Sequence, residues 1–294
     1  PAVSERLVLN AGDYGLAVQE RAELIMLSDI AGYVGADTCG CLLAIRQDQQ
    51  EEISLMIDIG TNGEMVLGNR ERMVTCSTAA GPAFEGAKIE CGMRGAAGAV
   101  DHVKYEDGKW NYTTVGNKPA VGLCGSGLID LVAGLLDAGM LDENGVLRSG
   151  QEKQGVFILV LPERGGNERG VYLTQKDLGE VQLAKAAIAA GIQMLMERLG
   201  ITEDDICSVY IAGAFGNYMD PVSAGKIGLF PATLVKKVKP VGNAAGEGAK
   251  IALVNEKEML EMDELVRKIE FVELAASADF QDHFIDELGF ETGE

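Results

Sequence analysis

The chain has 294 residues, 47% of them hydrophobic, and a formal net charge of −20 at pH 7. This hydrophobic share supports a sizeable core and excludes global disorder, while the negative charge repels phosphate backbones and argues against binding to nucleic acid. No apolar run approaches the length that spans a bilayer and residues 1–6 do not resemble a signal peptide, so we expect a cytoplasmic protein without a membrane partner.

The first fifty residues look like the end of a preceding lobe. Their segment DIAGYVGADTCGCLLAIR, residues 29–46, is rich in Ala and Gly, which suits a helix packed tightly against a neighbour. Within it, Cys39 and Cys41 form the closest cysteine pair of the chain. Two interpretations stay open for this pair, a redox couple or reduced thiols on the helix, and the second is favoured.

Three strand-like runs follow at residues 53–59, 64–68 and 72–76, with tight turns between them. Consecutive short hairpins predict an antiparallel meander that starts a sheet. The first run carries Asp58 near its end, and the charge of this residue is costly to bury without a partner or a metal.

The turn GTNG at residues 60–63 supports two interpretations. Asn-Gly is the favoured pair of a tight β-hairpin, because both residues tolerate a positive φ. A carboxylate beside a loop of free backbone N–H groups is also typical of a phosphate clamp, in which Asp58 holds Mg²⁺ directly or through water. This stretch alone leaves the choice open.

Two glycine-rich turns come next, each of them before a helix. AGPAFEGA, residues 80–87, places Pro82 in the first turn of a short helix, where an anion is favoured and where Glu85 points toward a ribose hydroxyl. GLCGSGLID, residues 122–130, repeats the order of strand, turn and helix but lacks the dinucleotide fingerprint. A plain tight turn remains the alternative for both. Cys124 is either a nucleophile or a buried thiol, and the lack of a suitable histidine favours the thiol.

The middle of the chain alternates strands and helices. A peripheral hairpin is predicted at 99–115, a helix at 126–138, and strands at 156–161 and 170–173. The longest helix is expected to start at a capping box of Thr174 and Asp177 and to stop at Gly200.

The apolar strand in VYIAGAFGN, residues 209–217, delivers Gly213, Gly216 and Asn217 to its carboxyl end. Ligands favour this edge of an open α/β sheet, and glycines there let a flat adenine lie against the backbone. The alternative is an ordinary turn from strand to helix. A small-residue helix and an acidic tail complete the chain, so a meander followed by alternating helices and strands predicts an α/β lobe with a mixed sheet.

In this order, the motifs resemble those of a known superfamily. DIGTNGE, IAGAFGN and GNAAGEGAKIAL are similar to the phosphate hairpin, the adenosine turn and the closing connector of the acetate and sugar kinase, heat-shock chaperone and actin superfamily, and IAGYVGADT resembles its first connector. Together with CSTAAGPAFEGA and GLCGSGLID, these stretches most resemble the carboxy-terminal domain of the reductive activators of corrinoid proteins.

The resemblance implies an α/β fold, an actin-like, ribonuclease H-like lobe. This lobe has a mixed sheet of the five-stranded type with flanking helices and a small peripheral β-hairpin insertion. It also divides the chain into three parts. These are the end of a preceding lobe with a connector helix at 1–50, a nucleotide-binding lobe at 51–255, and an acidic strand with helices that pack on the lobe at 256–294.

The resemblance further implies a site for ATP and Mg²⁺. Asp58 is the expected catalytic residue and the expected holder of Mg²⁺. The residues expected to contact the nucleotide are Gly60, Thr61, Asn62, Gly63, Glu64, Gly81, Glu85, Gly125, Ser126, Gly213, Gly216 and Asn217.

In that family, ATP drives the uphill one-electron reduction of cob(II)alamin to cob(I)alamin on a corrinoid methyl-transfer protein, which is the implied partner. The implied ATPase activity belongs to a complete two-lobed protein, and a homodimer is left open. Two alternatives remain. One is a non-catalytic scaffold lobe that docks the corrinoid protein. The other is a small-molecule kinase of the same superfamily, which is disfavoured because no carboxylate stands out as a base.

The chain departs from the family pattern in three ways. It has no second D-x-G-T stretch to act as a first phosphate hairpin, and none of its six cysteines forms a C-x-x-C pair. A 2Fe-2S cluster is therefore expected only in a ferredoxin domain that this chain lacks. Gly213-Ala214 stands where relatives often have Gly-Gly, and the extra methyl group is expected to alter the fit of the nucleotide.

Overall fold

The computed structural model of the protein describes residues 4–148, 155–213, 216–275 and 277–290, so the predicted ends at 1–3 and 291–294 lie outside the described residues. Its strands are β1 Leu7–Asn10, β2 Glu23–Met26, β3 Ile53–Ile59, β4 Gly63–Gly68, β5 Met73–Thr78, β6 Ala99–Glu106, β7 Lys109–Thr114, β8 Gly122–Leu123, β9 Val156–Val160, β10 Val171–Thr174, β11 Ile206–Ala212, β12 Val238–Gly242 and β13 Glu270–Phe271. Its α-helices are α1 Ala36–Ile45, α2 Gly125–Asp137, α3 Gln175–Leu199, α4 Pro221–Lys226, α5 Ala244–Val254, α6 Glu256–Val266 and α7 Ala278–Asp286.

The central sheet is mixed and has the strand order β12-β11-β3-β4-β5-β13. Strands β3, β4 and β5 form the predicted antiparallel meander, while β11 and β12 run parallel to β3. The predicted α/β fold class is therefore confirmed, including its helices and its small hairpin sheet. One more strand than expected is present, because the short β13 pairs in parallel with the exposed edge of β5.

Two helical layers cover the two faces of this sheet. Alternate side chains of a strand point to opposite faces, so Leu55 and Ile57 join the core made with α2 and α3. Met56 of β3 and Val66 of β4 join a second core, which contains buried residues of α1, α5 and α6. Strand β3 is consequently buried on both sides, which explains its three consecutive apolar residues, Leu55–Ile57.

The helix α3 begins at the predicted capping box. The hydroxyl of Thr174 accepts a hydrogen bond from the Asp177 N–H, and the Asp177 carboxylate accepts one from the Thr174 N–H. We expect Thr174→Ala to lower the free energy of unfolding by about 1 kcal/mol, because one N–H of the first turn loses its acceptor. Urea unfolding tests this, and an unchanged midpoint would contradict it; Lys176→Ala, one residue into the same helix, is the control.

Two further features of the chain position the site. The hairpin β6–β7 lies beside the central sheet, with β8 parallel to β6, and leads into α2. A second hairpin, β1–β2, was not predicted, because its strands, LVLN and ELIM, have four residues each and show no alternation of apolar and polar residues.

The carboxy-terminal segment packs on α3. Lys185 of α3 is buried, its ammonium donates a hydrogen bond to the Gly289 carbonyl, and it lies 5.6 Å from the centre of the Phe290 ring. The division of the chain at residues 50 and 255 stays a prediction. No α-helix within the described ranges combines the length and the apolar character needed to cross a membrane.

Candidate functional site

A row of polar side chains crosses the end of the central sheet. Asp58 on β3 lies opposite Glu64 on β4, and Glu64 lies opposite Ser77 on β5. Cross-strand neighbours share a face, so these side chains lie on the same side as Met56, toward α1. On the other flank, Asp58 is paired in register with Ala212, the last residue of β11.

Three carboxylates, those of Asp37, Asp58 and Glu64, form what we call the acidic cluster. Burial raises the pKa of Asp58, and the negative charge of Asp37, in the first turn of α1, raises it further. Burial also raises the pKa of Glu64 to about 7, against the opposing hydrogen bond from the Ser77 hydroxyl at 3.1 Å. Within the described chain, none of the three carboxylates forms a salt bridge with a lysine or an arginine.

The acidic cluster fits a divalent cation that keeps water in its coordination shell. Uncompensated carboxylates attract such a cation, and Mg²⁺ binds carboxylate oxygen while retaining several waters. Across the described residues, no set of three or more His, Cys, Asp and Glu side chains is placed to ligate a metal directly. A cation held by these carboxylates would have to complete its coordination shell with water.

The raised pKa of Glu64 predicts a pH-dependent stability. Folding favours the protonated form, so its contribution to stability is complete below the usual pKa of 4.5 and is lost as the pH rises through about 7. In metal-free buffer at pH 8 we expect Glu64→Gln to be more stable than the parent by about 1–3 kcal/mol, and this gain to vanish near pH 4. Urea unfolding across this pH range is the measurement, and a gain that does not depend on pH would contradict the assignment.

The two close cysteines have different partners. The thiol of Cys39 donates to the Ser28 carbonyl at 3.0 Å, and that of Cys41 donates to Oδ2 of Asp58 at 3.7 Å. Both are free thiols, and burial raises the pKa of Cys39 to about 12. The interpretation as reduced thiols on a helix is therefore supported over a redox couple.

The GTNG turn is not an ordinary Asn-Gly hairpin turn. Neither Asn62 nor Gly63 has the positive φ that such a turn requires. Instead, the Gly60 N–H donates to the Asn62 carbonyl at 2.9 Å, and Thr61 stands exposed at the tip. Gly63 is needed for packing, because a Cβ there would lie 3.1 Å from Ile188. Strands β3 and β4 still form a hairpin. The preference of Asn-Gly for a tight turn, however, no longer explains why these residues stand at its tip.

The tip of this turn contacts the next glycine-rich turn. The Thr61 hydroxyl donates to Oε1 of Glu85 at 2.7 Å. Glu85 ends the predicted short helix, a 3₁₀ helix from Pro82 to Glu85, and Gly81 before it has a φ of 75° with open space where a Cβ would be. The hydrogen bond therefore joins the first two sequence motifs.

Glu85 also lines a cavity of about 540 Å³. Apolar walls come from Phe84, Met93 and Val115, and Tyr218 closes one side. The remaining lining residues include Glu85, Arg94, Gly95, Asp101, Cys124, Gly125 and Ser126. Its volume lies within the range of about 300–1,000 Å³ that is usual for sites of small molecules.

The amino terminus of α2 forms part of the wall of this cavity. Gly125 is the first residue of α2, and the N-cap residue Cys124 makes no side-chain capping hydrogen bond. The first N–H groups of a helix and its dipole favour an anion. Cys124 itself is buried, and its thiol contacts the Val100 carbonyl, as expected for a packed thiol.

In the third glycine motif, residues 209–217, Gly213 lies beside the acidic cluster, whereas Gly216 and Asn217 pack on strands β11 and β12. Gly213 has a φ of 91°, and a Cβ there would lie 3.1 Å from Oδ1 of Asp58, so only glycine fits comfortably. Gly216 packs on Ile211, and Asn217 packs on Gly242, whose carbonyl accepts a hydrogen bond from the Gly213 N–H at 2.9 Å. Ala214, the unusual residue of this motif, lies outside the described residues.

Two groups of predicted residues thus emerge. Asp58, Glu64 and Gly213 meet at the end of the sheet, while Glu85, Gly125 and Ser126 surround the cavity. Four contributors escaped the sequence analysis: Asp37, Arg94, Asp101 and Tyr218. Of these, Tyr218 was signalled by its position directly after Asn217, whereas the others stand in stretches with no local pattern.

The comparisons with known proteins agree on one family. The family model described as the C-terminal domain of RACo, the ASKHA domain, matches residues 52–294. A corrinoid activation enzyme, RamQ of Eubacterium limosum, is 35% identical over 296 residues, covering 96% of this chain and 50% of that protein. A Co(II) methylated amine-specific corrinoid protein reductase of Methanosarcina barkeri is 29% identical over 303 residues, covering 95% of this chain and 54% of that protein.

A solved structure shares the whole fold. A reductive activator for corrinoid, iron-sulfur protein superimposes with a TM-score of 0.91 at 37% identity, over 99% of this chain and 48% of that one. The chain therefore spans about half the length of the relatives that it matches.

Proposed function

Because this chain belongs to the family of the C-terminal ASKHA domain of RACo, the reductive activators of corrinoid proteins, we propose that it is the lobe with which such an activator binds and hydrolyses ATP. The complete activator would use ATP to drive the one-electron reduction of cob(II)alamin to cob(I)alamin on a corrinoid methyl-transfer protein. The corrinoid protein is the proposed partner, and the reducing 2Fe-2S cluster would belong to a separate ferredoxin domain.

The observation that carries this proposal is the hydrogen bond between Thr61 and Glu85, which links the turn between the strands of Asp58 and Glu64 to a residue that lines the cavity. A nucleotide has a polyanionic end that requires a cation and N–H donors, and an apolar base that requires a pocket. Here the carboxylates of Asp58 and Glu64 stand at one end, and a cavity with apolar walls stands at the other. The turn that carries Thr61 lies between them.

The roles of the residues follow from this arrangement. Asp58 and Glu64 would hold Mg²⁺ through water, and the bound ion would neutralise charge on the phosphates. The N–H groups of Gly60–Gly63 and of the first turn of α2 would orient the phosphates. The base would lie in the apolar part of the cavity, beside Tyr218. No nucleophilic side chain is required, because phosphoryl transfer to water is promoted by positioning and charge stabilisation.

A cavity-filling variant tests the location of the nucleotide. Gly95 lines the cavity, and a Cβ there would meet no atom within 4 Å, so a side chain can begin at this position without a backbone clash. We expect Gly95→Trp to fill the cavity and to weaken Mg-ATP binding by at least about 100-fold, while Gly95→Ala leaves it unchanged. Calorimetric titration is the measurement, on this chain and on a version extended by the amino-terminal half that its relatives carry.

The outcomes separate the proposal from its alternatives. Equal ATP affinity in Gly95→Trp and Gly95→Ala would place the nucleotide elsewhere. A lack of Mg-ATP binding by the extended protein would favour the scaffold lobe. ATP hydrolysis that is stimulated by a small hydroxylated substrate, rather than by a corrinoid protein, would favour the kinase.

A further inference from the structure

The Asp58 carboxylate receives a hydrogen bond from a cysteine on a neighbouring helix. Oδ2 of Asp58 accepts from the Cys41 thiol at 3.7 Å, and no other hydrogen-bond donor to this side chain is found in the described part of the chain. Oδ1 faces the end of β11, since a Cβ on Gly213 would lie 3.1 Å from it. The two oxygens of the carboxylate thus have different surroundings, Oδ2 against the Cys41 thiol of α1 and Oδ1 beside Gly213 at the end of β11.

Cys41 is suited to act as a permanent donor. It is fully buried against Asp58. An ordinary cysteine thiol has a pKa of about 8.5, so at neutral pH it carries a hydrogen that it can donate to Oδ2.

Helix α1 is in turn fixed against α5 at the residue next to Cys41. A Cβ on Gly40 would lie 2.8 Å from the Ala245 carbonyl oxygen, and one on Gly248 would lie 1.9 Å from the Gly40 carbonyl oxygen. The two helices therefore touch through their backbones at this point. A displacement of α1 along α5 cannot occur without moving the thiol of Cys41 relative to Asp58.

We propose that Cys41 is a positioning residue, whose thiol holds Oδ2 of Asp58 so that Oδ1 is presented to the metal, and which couples that carboxylate to the crossing of α1 and α5. This inference rests on the proposed function, because it concerns the Mg²⁺ site of the nucleotide. Outer-shell donors of this kind orient the groups that hold a metal, and their loss typically weakens metal binding by about 10–100-fold.

Cys39 provides a matched control. It lies on the same helix, is also fully buried, and donates its thiol hydrogen to a carbonyl group rather than to Asp58. Replacing either cysteine with Ala removes the same atoms from an equally buried position. A purely structural role would thus affect both variants alike, whereas a positioning role concerns Cys41 alone.

The test is the affinity for Mn²⁺, as a stand-in for Mg²⁺, measured by electron paramagnetic resonance in the presence of ATP. On the extended protein we expect Cys41→Ala to raise the Kd for Mn²⁺ by about tenfold. Cys41→Ser should restore most of the affinity, because its hydroxyl can donate to the same oxygen. Cys39→Ala should match the parent. The infrared S–H stretching band of Cys41 should also shift in Asp58→Asn, while that of Cys39 should not.

Each outcome decides the inference. Equal Mn²⁺ affinity in Cys41→Ala and the parent would overturn it, and so would equal losses in Cys41→Ala and Cys39→Ala. If the parent bound no Mn²⁺, the proposed metal site itself would be wrong. The S–H band would then decide by itself whether the thiol holds the carboxylate, and a band unchanged in Asp58→Asn would overturn that too.

Discussion

Replacement of Asp58 with Ala is expected to abolish Mg-ATP-dependent activation of the corrinoid protein while leaving the fold intact. Asp58 is the half-buried carboxylate at the end of β3, and its pKa is raised by burial and by the charge of Asp37. Without it, the Mg²⁺ that offsets the phosphate charge loses its holder. Loss of such electrostatic stabilisation typically costs about 100-fold or more in rate. The measurement is ATP-dependent formation of cob(I)alamin, followed by absorbance.

The same residue should show that function and stability oppose each other here. A raised pKa means that the folded state disfavours the ionised carboxylate, so the stability linked to protonated Asp58 is lost as the pH rises through the folded pKa. The isosteric Asp58→Asn removes that penalty. In metal-free buffer at neutral pH, it should be at least as stable as the parent, yet inactive.

Urea unfolding and circular dichroism provide the control for these variants. Asp58→Asn with normal stability but no activation would place the defect in the site. Unchanged ATP-dependent activation in both Asp58 variants would falsify the assigned role. If both Asp58 variants were unfolded, Asp58 would be needed for the stability of the fold, contrary to the penalty expected for burying its charge.

A second large effect is expected where α1 and α5 cross. A Cβ on Gly248 would lie 1.9 Å from the Gly40 carbonyl oxygen, and backbone atoms cannot yield as a flexible side chain can. We expect Gly248→Ala to lower the free energy of unfolding by about 3 kcal/mol, because the helices must separate. The loss should appear even though Ala is the better helix former by about 1 kcal/mol.

Gly179 in α3 is the matched control for this effect. It is also a helical glycine, but a Cβ there would meet no atom within 4 Å. Gly179→Ala should therefore raise the free energy of unfolding by about 0.5–1 kcal/mol. Urea unfolding of both variants is the measurement. A Gly248→Ala protein as stable as Gly179→Ala would show that the two helices are not held in backbone contact.

Local signals in the sequence were sufficient for several elements. The apolar run of β3 with its bounding turns predicted that strand at its observed bounds, Ile53–Ile59, and the Thr174–Asp177 capping box marked the start of α3. Both signals act between residues close in the chain, so they can be recognised without knowledge of the fold. The hairpin β1–β2 carried no such signal, and the strand expected in the acidic tail, observed as β13, gave no indication that it would pair with β5.

For the candidate site too, the sequence predicted some of the residues and missed others. The order of the glycine motifs gave the family and pointed to Asp58, Glu64, Glu85 and Gly213, because tight turns and strand ends have recognisable sequences. Their roles in binding ATP stay predictions. The sequence could not show that Asp37 of α1 adds its charge to this cluster, since 21 residues separate it from Asp58 and no local rule links them.

The sequence by itself therefore determined the strands of the meander, the glycine turns, the cap of α3 and the family, all of which depend on neighbouring residues and on the order of motifs. Only the tertiary structure decided which side chains meet: the Cys41 thiol with Asp58, Thr61 with Glu85, and the backbone of Gly40 with Gly248. These contacts depend on how two helical layers are packed on one sheet. That packing is set by the combined burial of two cores rather than by any single stretch of the chain.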